Sequence, residues 1–175
     1  MKFRSLLSSM IGLALVPSLA VADVKAQDLT FTLGGGYIFF APKRNLKNTA
    51  IPTYAALAYN FDEKWATEFA VNLINATSHN PNNQFSHGFI YILDEMYRLP
   101  TTHKIDPYVL GGFNIFSLKP VTNQAVNQGG MNLGFGAQFF KSKHVAVSAE
   151  ARDIYTFSGG KNDVLLNLGL NFIWE

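Results

Sequence analysis

The chain has 175 residues, 14 lysines and arginines against 12 aspartates and glutamates, 48% hydrophobic residues and no cysteine. That length suits one domain, and without cysteine it has no disulfide framework. At its start Lys2 and Arg4 precede an apolar stretch, Leu6 to Leu19, closing on Ala20-Val21-Ala22. This is the layout of a cleaved secretory signal over residues 1–22, with cleavage after Ala22. Ser8, Ser9, Pro17 and Ser18 interrupt the run, which argues against a membrane anchor, since a spanning helix needs about 20 apolar residues. Setting the segment aside leaves 12 basic and 12 acidic residues in a mature domain of residues 23–175. The domain is neutral, and no basic patch remains to argue for nucleic acid.

Alternation then predicts eight strands. From Leu29 to Ala41, Leu29, Phe31, Leu33, Tyr37 and Phe39 share one face, while Thr30, Thr32, Gly34 and Gly36 share the other. The glycines at 34 to 36 precede no helix pattern, so they read as close backbone approach rather than a phosphate cradle. A second strand, Thr53 to Phe61, is closed by the turn Asp62-Glu63-Lys64. In the third, Trp65, Thr67, Phe69, Val71 and Leu73 alternate with Ala66, Glu68, Ala70 and Asn72, until the turn formers Ser78 to Asn83. The fourth, Phe85 to Leu99, sets Phe89, Tyr91, Leu93 and Tyr97 against Ile90, Ile92, Asp94, Met96 and Arg98, and is followed by Pro100-Thr101-Thr102-His103. Pro107 to Ser117, Gly130 to Phe140 and Val145 to Phe157 follow, and Val164 to Trp174 comes last. In that last strand Leu166, Leu168, Leu170, Phe172 and Trp174 oppose Asn167, Gly169, Asn171 and Ile173.

Connections near residues 62, 101 and 142 are short, and those near 45, 80, 122 and 160 are longer. The alternation of the two kinds suits an all-β, eight-stranded antiparallel up-and-down transmembrane β-barrel with short periplasmic turns and longer external loops. Soluble barrels also close eight strands, but they present charged residues to water. Here the less apolar face is mostly Gly, Ala, Asn, Ser and Gln, which fits a packed polar interior. The other face is Leu, Phe, Val and Tyr, with Trp65, Tyr97 and Trp174 near strand ends where interfacial aromatics belong.

The charges within strands follow the same partition, because Glu68, Asp94, Arg98, Glu150 and Arg152 all fall on the inner face. Charges there must pair, so two arginines among three carboxylates predict a salt-bridged plug and no wide water pore. Strict alternation turns Glu95 and Asp153 outward. Glu95 is read as marking a bulge, and Asp153 as reaching headgroups near the outer rim.

The closing pattern Asn167-x-Gly169-x-x-Phe172-x-Trp174 resembles the C-terminal assembly signal of bacterial outer-membrane barrels. Gly35-Gly36-Tyr37 with Pro42 to Leu46, Tyr59-Asn60-Phe61 with Trp65 to Glu68, Pro107-Tyr108-Val109 with Gly111-Gly112, and Glu150-Ala151-Arg152 with Tyr155 resemble the N-terminal barrel of OmpA-type outer-membrane proteins. The resemblance covers essentially the whole mature chain. It implies residence in the bacterial outer membrane, and an internal ion-pair network that includes Glu68, Glu150 and Arg152. The chain stops at Glu175, with no room for the periplasmic peptidoglycan-binding domain that many members carry.

These features favour a non-enzymatic barrel with a structural or surface-interaction role. Its expected partners are outer-membrane lipid and lipopolysaccharide, the barrel-assembly machinery and periplasmic chaperones, with no cofactor, no metal and an unspecified surface ligand. A channel for small solutes or hydrophobic molecules is the alternative. A lipid A-modifying enzyme has less support: the deacylases resemble a His-x-Ser pair on one strand face. Here Ser86 and His87 are adjacent and so on opposite faces, Ser78 and His79 lie in a loop, and His103 and His144 lie in turns.

Overall fold

The computed structural model describes residues 26–79, 85–100, 105–120 and 125–174. The export segment, the turn residues Asn80 to Asn83 and Thr101 to His103, and Glu175 lie outside them.

Eight strands form a closed barrel: β1 (Leu29–Phe39), β2 (Thr49–Asn60), β3 (Trp65–Thr77), β4 (Phe85–Arg98), β5 (Ile105–Pro120), β6 (Val126–Phe140), β7 (Val145–Thr156) and β8 (Lys161–Trp174). Each pairs antiparallel with its chain neighbour, and β8 closes on β1 from Leu29↔Trp174 to Phe39↔Val164. A two-residue side-chain period dictates this arrangement, since one face of every strand must find lipid and the other a filled interior. In β8, Leu166, Leu168 and Leu170 are exposed on the wall, while Leu165, Asn167 and Asn171 are buried.

The register is regular except between β1 and β2, where Gly34 faces Tyr54 but Gly36 faces Ile51. One residue of β1, Gly35, thus lies opposite two of β2, a β-bulge at Pro52 and Thr53. Pro52 has no N–H for the ladder, and a bulge accommodates such a residue. The extra residue re-phases the strand, so that Tyr54 and Ile51 both point inward, 1% and 2% exposed. β2 therefore begins at Thr49 instead of Thr53. No bulge occurs at Glu95, whose register with Thr67 and Gly111 is unbroken. Glu95 stands on the outer wall and accepts the Thr67 hydroxyl at 2.6 Å.

Strands at the long-loop end run further than their turn residues suggest. β5 extends to Pro120 and β6 starts at Val126, so the expected loop from Leu118 to Gln128 is mostly strand, and its inward side chains become mouth wall. The β7–β8 connection shrinks to residues 157–160, a tight turn in which Gly159 and Gly160 take positive φ. The β1–β2 loop carries a short 3₁₀ turn, Pro42–Arg44.

Outside, aromatic pairs mark two belts. Trp65 lies against Tyr97 (4.8 Å between ring centroids) and Trp174 near Phe31 (6.4 Å) at the short-turn end. Tyr37 with Phe39 (4.9 Å) and Tyr155 with Phe157 (6.0 Å) lie at the other. On β1, Phe31 lies six residues from Tyr37 and eight from Phe39, roughly 15–20 Å along the barrel axis for a tilted strand.

The interior departs from the expected uniformly polar packing. Toward the long loops it is apolar: Ile38, Ile51, Ile74, Ile90, Ile92, Phe116, Ile154 and Leu165 form one buried cluster. Where both faces of a strand are apolar, as in Tyr37-Ile38-Phe39-Phe40, alternation carries no polarity contrast.

Candidate functional site

The polar part of the lumen is built around Arg152 on β7, whose side chain is fully buried. Glu150 lies two residues earlier on the same inward face. Glu68 and Asp94 are direct cross-strand partners on β3 and β4, and the same row continues through Gly112 of β5 to Asn132 of β6. Glycine makes room for these large inward groups. A Cβ on Gly112 would stand 2.6 Å from Asp94 Oδ1, and one on Gly134 would stand 2.9 Å from Arg152 Cγ.

Arg152 donates from Nη2 to Glu68 Oε1 at 2.5 Å and to Glu150 Oε2 at 3.1 Å, from Nε to Glu150 Oε1 at 3.0 Å, and from Nη1 to Asp94 Oδ2. Three carboxylates converge on one guanidinium, and neutral donors meet the excess negative charge. Asn132 Nδ2 donates to Asp94 at 2.8 Å, Asn167 Nδ2 to Glu150 at 2.9 Å and the Tyr108 hydroxyl to Glu150 at 3.3 Å. Both oxygens of Asp94 and of Glu150 face donors, and Glu68 is held through Oε1, which offsets the cost of burying the three carboxylates.

Arg98, expected in this plug, is elsewhere. It pairs with Asp106 at 3.1 Å, next to the short turns. The cause is proximity: Arg98 faces Tyr108 in register, which places Asp106 of β5 diagonally beside it.

A second ionic cluster closes the opposite end, and sequence reading missed it. Arg44, in the 3₁₀ turn of the β1–β2 loop, folds inward and meets Asp163 of β8 at 2.6 Å. Its remaining donors reach Gln128 Oε1 at 3.0 Å and Thr156 Oγ1 at 2.5 Å, and the guanidinium lies over the Phe116 ring, 4.0 Å from its centroid. Asp163 also accepts the Ala41 N–H at 2.8 Å, which fixes the loop to the wall. Arg44 and Asp163 are 119 residues apart, and only the excess of cations in Pro42 to Lys47 hinted at a partner.

Ser86 faces the lumen, whereas His87 stands on the outer wall with its Nδ1 2.8 Å from Asn75 Oδ1. The two interior clusters bury charge inside the barrel.

The sequence matches the model of the outer membrane protein beta-barrel domain over residues 11–172. The chain belongs to this family. Solved outer-membrane protein β-barrels share its fold at low identity. The N-terminal barrel of OprF from Pseudomonas aeruginosa is 16% identical with a TM-score of 0.60, covering 84% of this chain and 98% of that one. OprG from Pseudomonas aeruginosa is 11% identical with a TM-score of 0.66, covering 87% and 98%. Ail, the attachment invasion locus protein of Yersinia pestis, is 10% identical with a TM-score of 0.59, covering 85% and 99%. No curated protein matches the sequence. The protein resides in the bacterial outer membrane.

Proposed function

We propose that this protein is a closed, non-enzymatic barrel that stabilises the envelope and presents its long-loop end to the cell exterior for surface interactions. The observation that carries the reading is the continuous filling of the lumen. The Arg152 cluster, the apolar layer from Ile38 to Leu165 and the Arg44–Asp163 cap follow one another along the axis. An eight-stranded barrel encloses only enough space for its own side chains, and here large ones use it. The short-turn end then faces the periplasm. The outer wall contacts lipid and lipopolysaccharide, and β8 serves as the strand read by the assembly machinery and its chaperones. In that role Phe172 and Trp174 supply the terminal aromatics, and Asn167 and Gly169 the small inward positions.

Planar-bilayer recording tests the closed state. The wild-type barrel should give no reproducible conductance, and Arg152→Ala should give at most brief openings, because the apolar layer still blocks the path. Steady wild-type conductance would replace this reading with the channel one.

A further inference from the structure

At the long-loop end, above the Arg44 cap, the lumen widens into an open pocket of about 260 Å³. Its walls come from five elements. Phe116 and Leu118 of β5 and Leu46 of the β1–β2 loop are apolar, as is Val126 of β6, while Ser86 of β4 and Gln128 of β6 add polar atoms. Lys43 and Lys161 stand at its edge. The volume suits a ligand of about ten non-hydrogen atoms.

The charge here is unbalanced in a way that the neutral composition of the mature chain conceals. Lys43 Nζ reaches Gly160 O at 3.4 Å and Lys161 Nζ reaches Ser158 O at 2.6 Å, so two ammonium groups converge on the backbone of one four-residue turn. Asp163, the carboxylate beside them, is already committed to Arg44 through both oxygens. Among the described residues at this end, Lys43, Arg44, Lys47, Lys119 and Lys161 face only Asp153 and Asp163. At the short-turn end, Lys64, Arg98, Lys141 and Lys143 are balanced by Asp28, Asp62, Glu63 and Asp106.

We propose that this mouth pocket binds a small amphipathic dianion, a phosphate monoester with an apolar body. The two lysines take the ester oxygens, and Leu46, Phe116, Leu118 and Val126 take the apolar part. A monoester fits better than a carboxylate because a phosphomonoester carries about −1.5 to −2 at neutral pH, matching two ammonium groups, and offers each an oxygen for a charge-assisted hydrogen bond. The inference rests on the reading of the barrel as a closed, surface-interacting protein, because an open lumen would not provide a floor at Phe116.

The test is calorimetric titration of the full barrel, refolded in neutral maltoside micelles, with hexyl phosphate; inorganic phosphate and hexanol serve as comparison probes. Saturable binding at one site is expected, at least tenfold tighter than either comparison probe. Lys43→Gln and Lys161→Gln should each weaken it about tenfold, and Lys161→Arg should retain most of it. Equal binding of inorganic phosphate, hexyl phosphate affinity unchanged in the Lys43→Gln/Lys161→Gln double variant, or no binding at all would overturn the proposal. Heat-modifiable gel migration establishes that each variant is folded. Neither lysine belongs to the sealing clusters, so a double variant that stays non-conducting but loses binding separates this inference from the closed-barrel reading. Repeating the titration in bilayers with and without lipopolysaccharide assigns the source. Competition identifies a lipid headgroup phosphate as the occupant, and undiminished binding identifies a soluble monoester.

Discussion

Around the barrel middle, the lumen is filled by Arg152, three carboxylates and the amides of Asn132 and Asn167; toward the long loops it is filled by Ile, Phe and Leu side chains under the Arg44 cap. Both halves exclude water, but by different physics. The ionic half has few arrangements in which every charge is met, so it specifies a register at the cost of desolvating four charges. The apolar half gains about 1.5–3 kcal/mol per large side chain buried and tolerates similar shapes. A barrel wall that offers one inward residue every second position can use either filler.

Removing Arg152 should produce the largest effect. Arg152→Met leaves Glu68, Asp94 and Glu150 buried around no cation, and breaking such a cluster costs about 3–5 kcal/mol. Urea unfolding followed by gel migration should show this loss. Adding Glu68→Gln and Asp94→Asn to Arg152→Met should recover much of it, because the quartet is then mostly neutral. If the single variant is as stable as wild type, the ionic half is not the specifying one.

Phe116→Ala tests the other half and should cost about 3 kcal/mol, the lower end for a buried phenylalanine, since the ring also borders the open mouth pocket. The contrast with Arg152→Met lies in rescue. Phe116→Leu should restore most of the stability by volume alone, whereas Arg152→Lys should not restore the ionic half, because lysine lacks the planar fork that meets three carboxylates. Unfolding midpoints of the four variants decide it.

The same contrast explains what could be read beforehand. Strand number, antiparallel order and the inward placement of Glu68, Asp94, Glu150 and Arg152 followed from alternation, because a charge within an otherwise apolar and small-residue strand has only one tolerable side. Ile90 and Ile92 were placed on the inner face of β4, but the rest of the apolar half was hidden because Ile38 and Leu165 lie between equally apolar outward neighbours. The bulge at Pro52 reverses the phase of β2, so alternation carried backward from Tyr54 assigns Ile51 to the wrong face. Arg44 and Asp163 stood in segments read as loops, where nothing local distinguishes a capping ion pair from two solvated charges. Arg98 was placed on the correct face but in the wrong cluster, since period-two reasoning fixes a side chain's face and says little about its height along the axis.

A smaller effect is expected at the cap above the apolar half. Arg44→Met leaves Asp163 buried opposite no cation and should cost about 2 kcal/mol, within the range for an uncompensated buried group that keeps one backbone donor, here the Ala41 N–H. Asp163→Asn alone should cost less, and a double-mutant cycle with Arg44→Met should show coupling of about 1–2 kcal/mol. Additivity within a few tenths would mean that the cap only rests on the apolar half and does not lock it.

The smallest effect lies outside both halves, at the turn between β2 and β3, and serves to isolate them. One oxygen of Asp62 accepts the N–H groups of Lys64 and Trp65, each at 2.7 Å. These two backbone hydrogen bonds, that from Lys64 first, hold its carboxyl below the usual carboxylate range. A carboxyl depressed on folding stabilises the native state fully above its unfolded value, about pH 4, and that stabilisation fades as pH falls through the lower folded value. Asp62→Asn keeps an acceptor but no titrating proton. The variant should therefore be slightly less stable than wild type at neutral pH, and the gap should close below about pH 3. Unfolding midpoints of the two proteins between pH 7 and 2.5 measure this directly. A gap that widens on acidification would reverse the sign assigned to Asp62. Acid sensitivity common to both proteins belongs to groups other than Asp62, and its further loss in Arg152→Met/Glu68→Gln/Asp94→Asn would place it in the ionic half of the lumen.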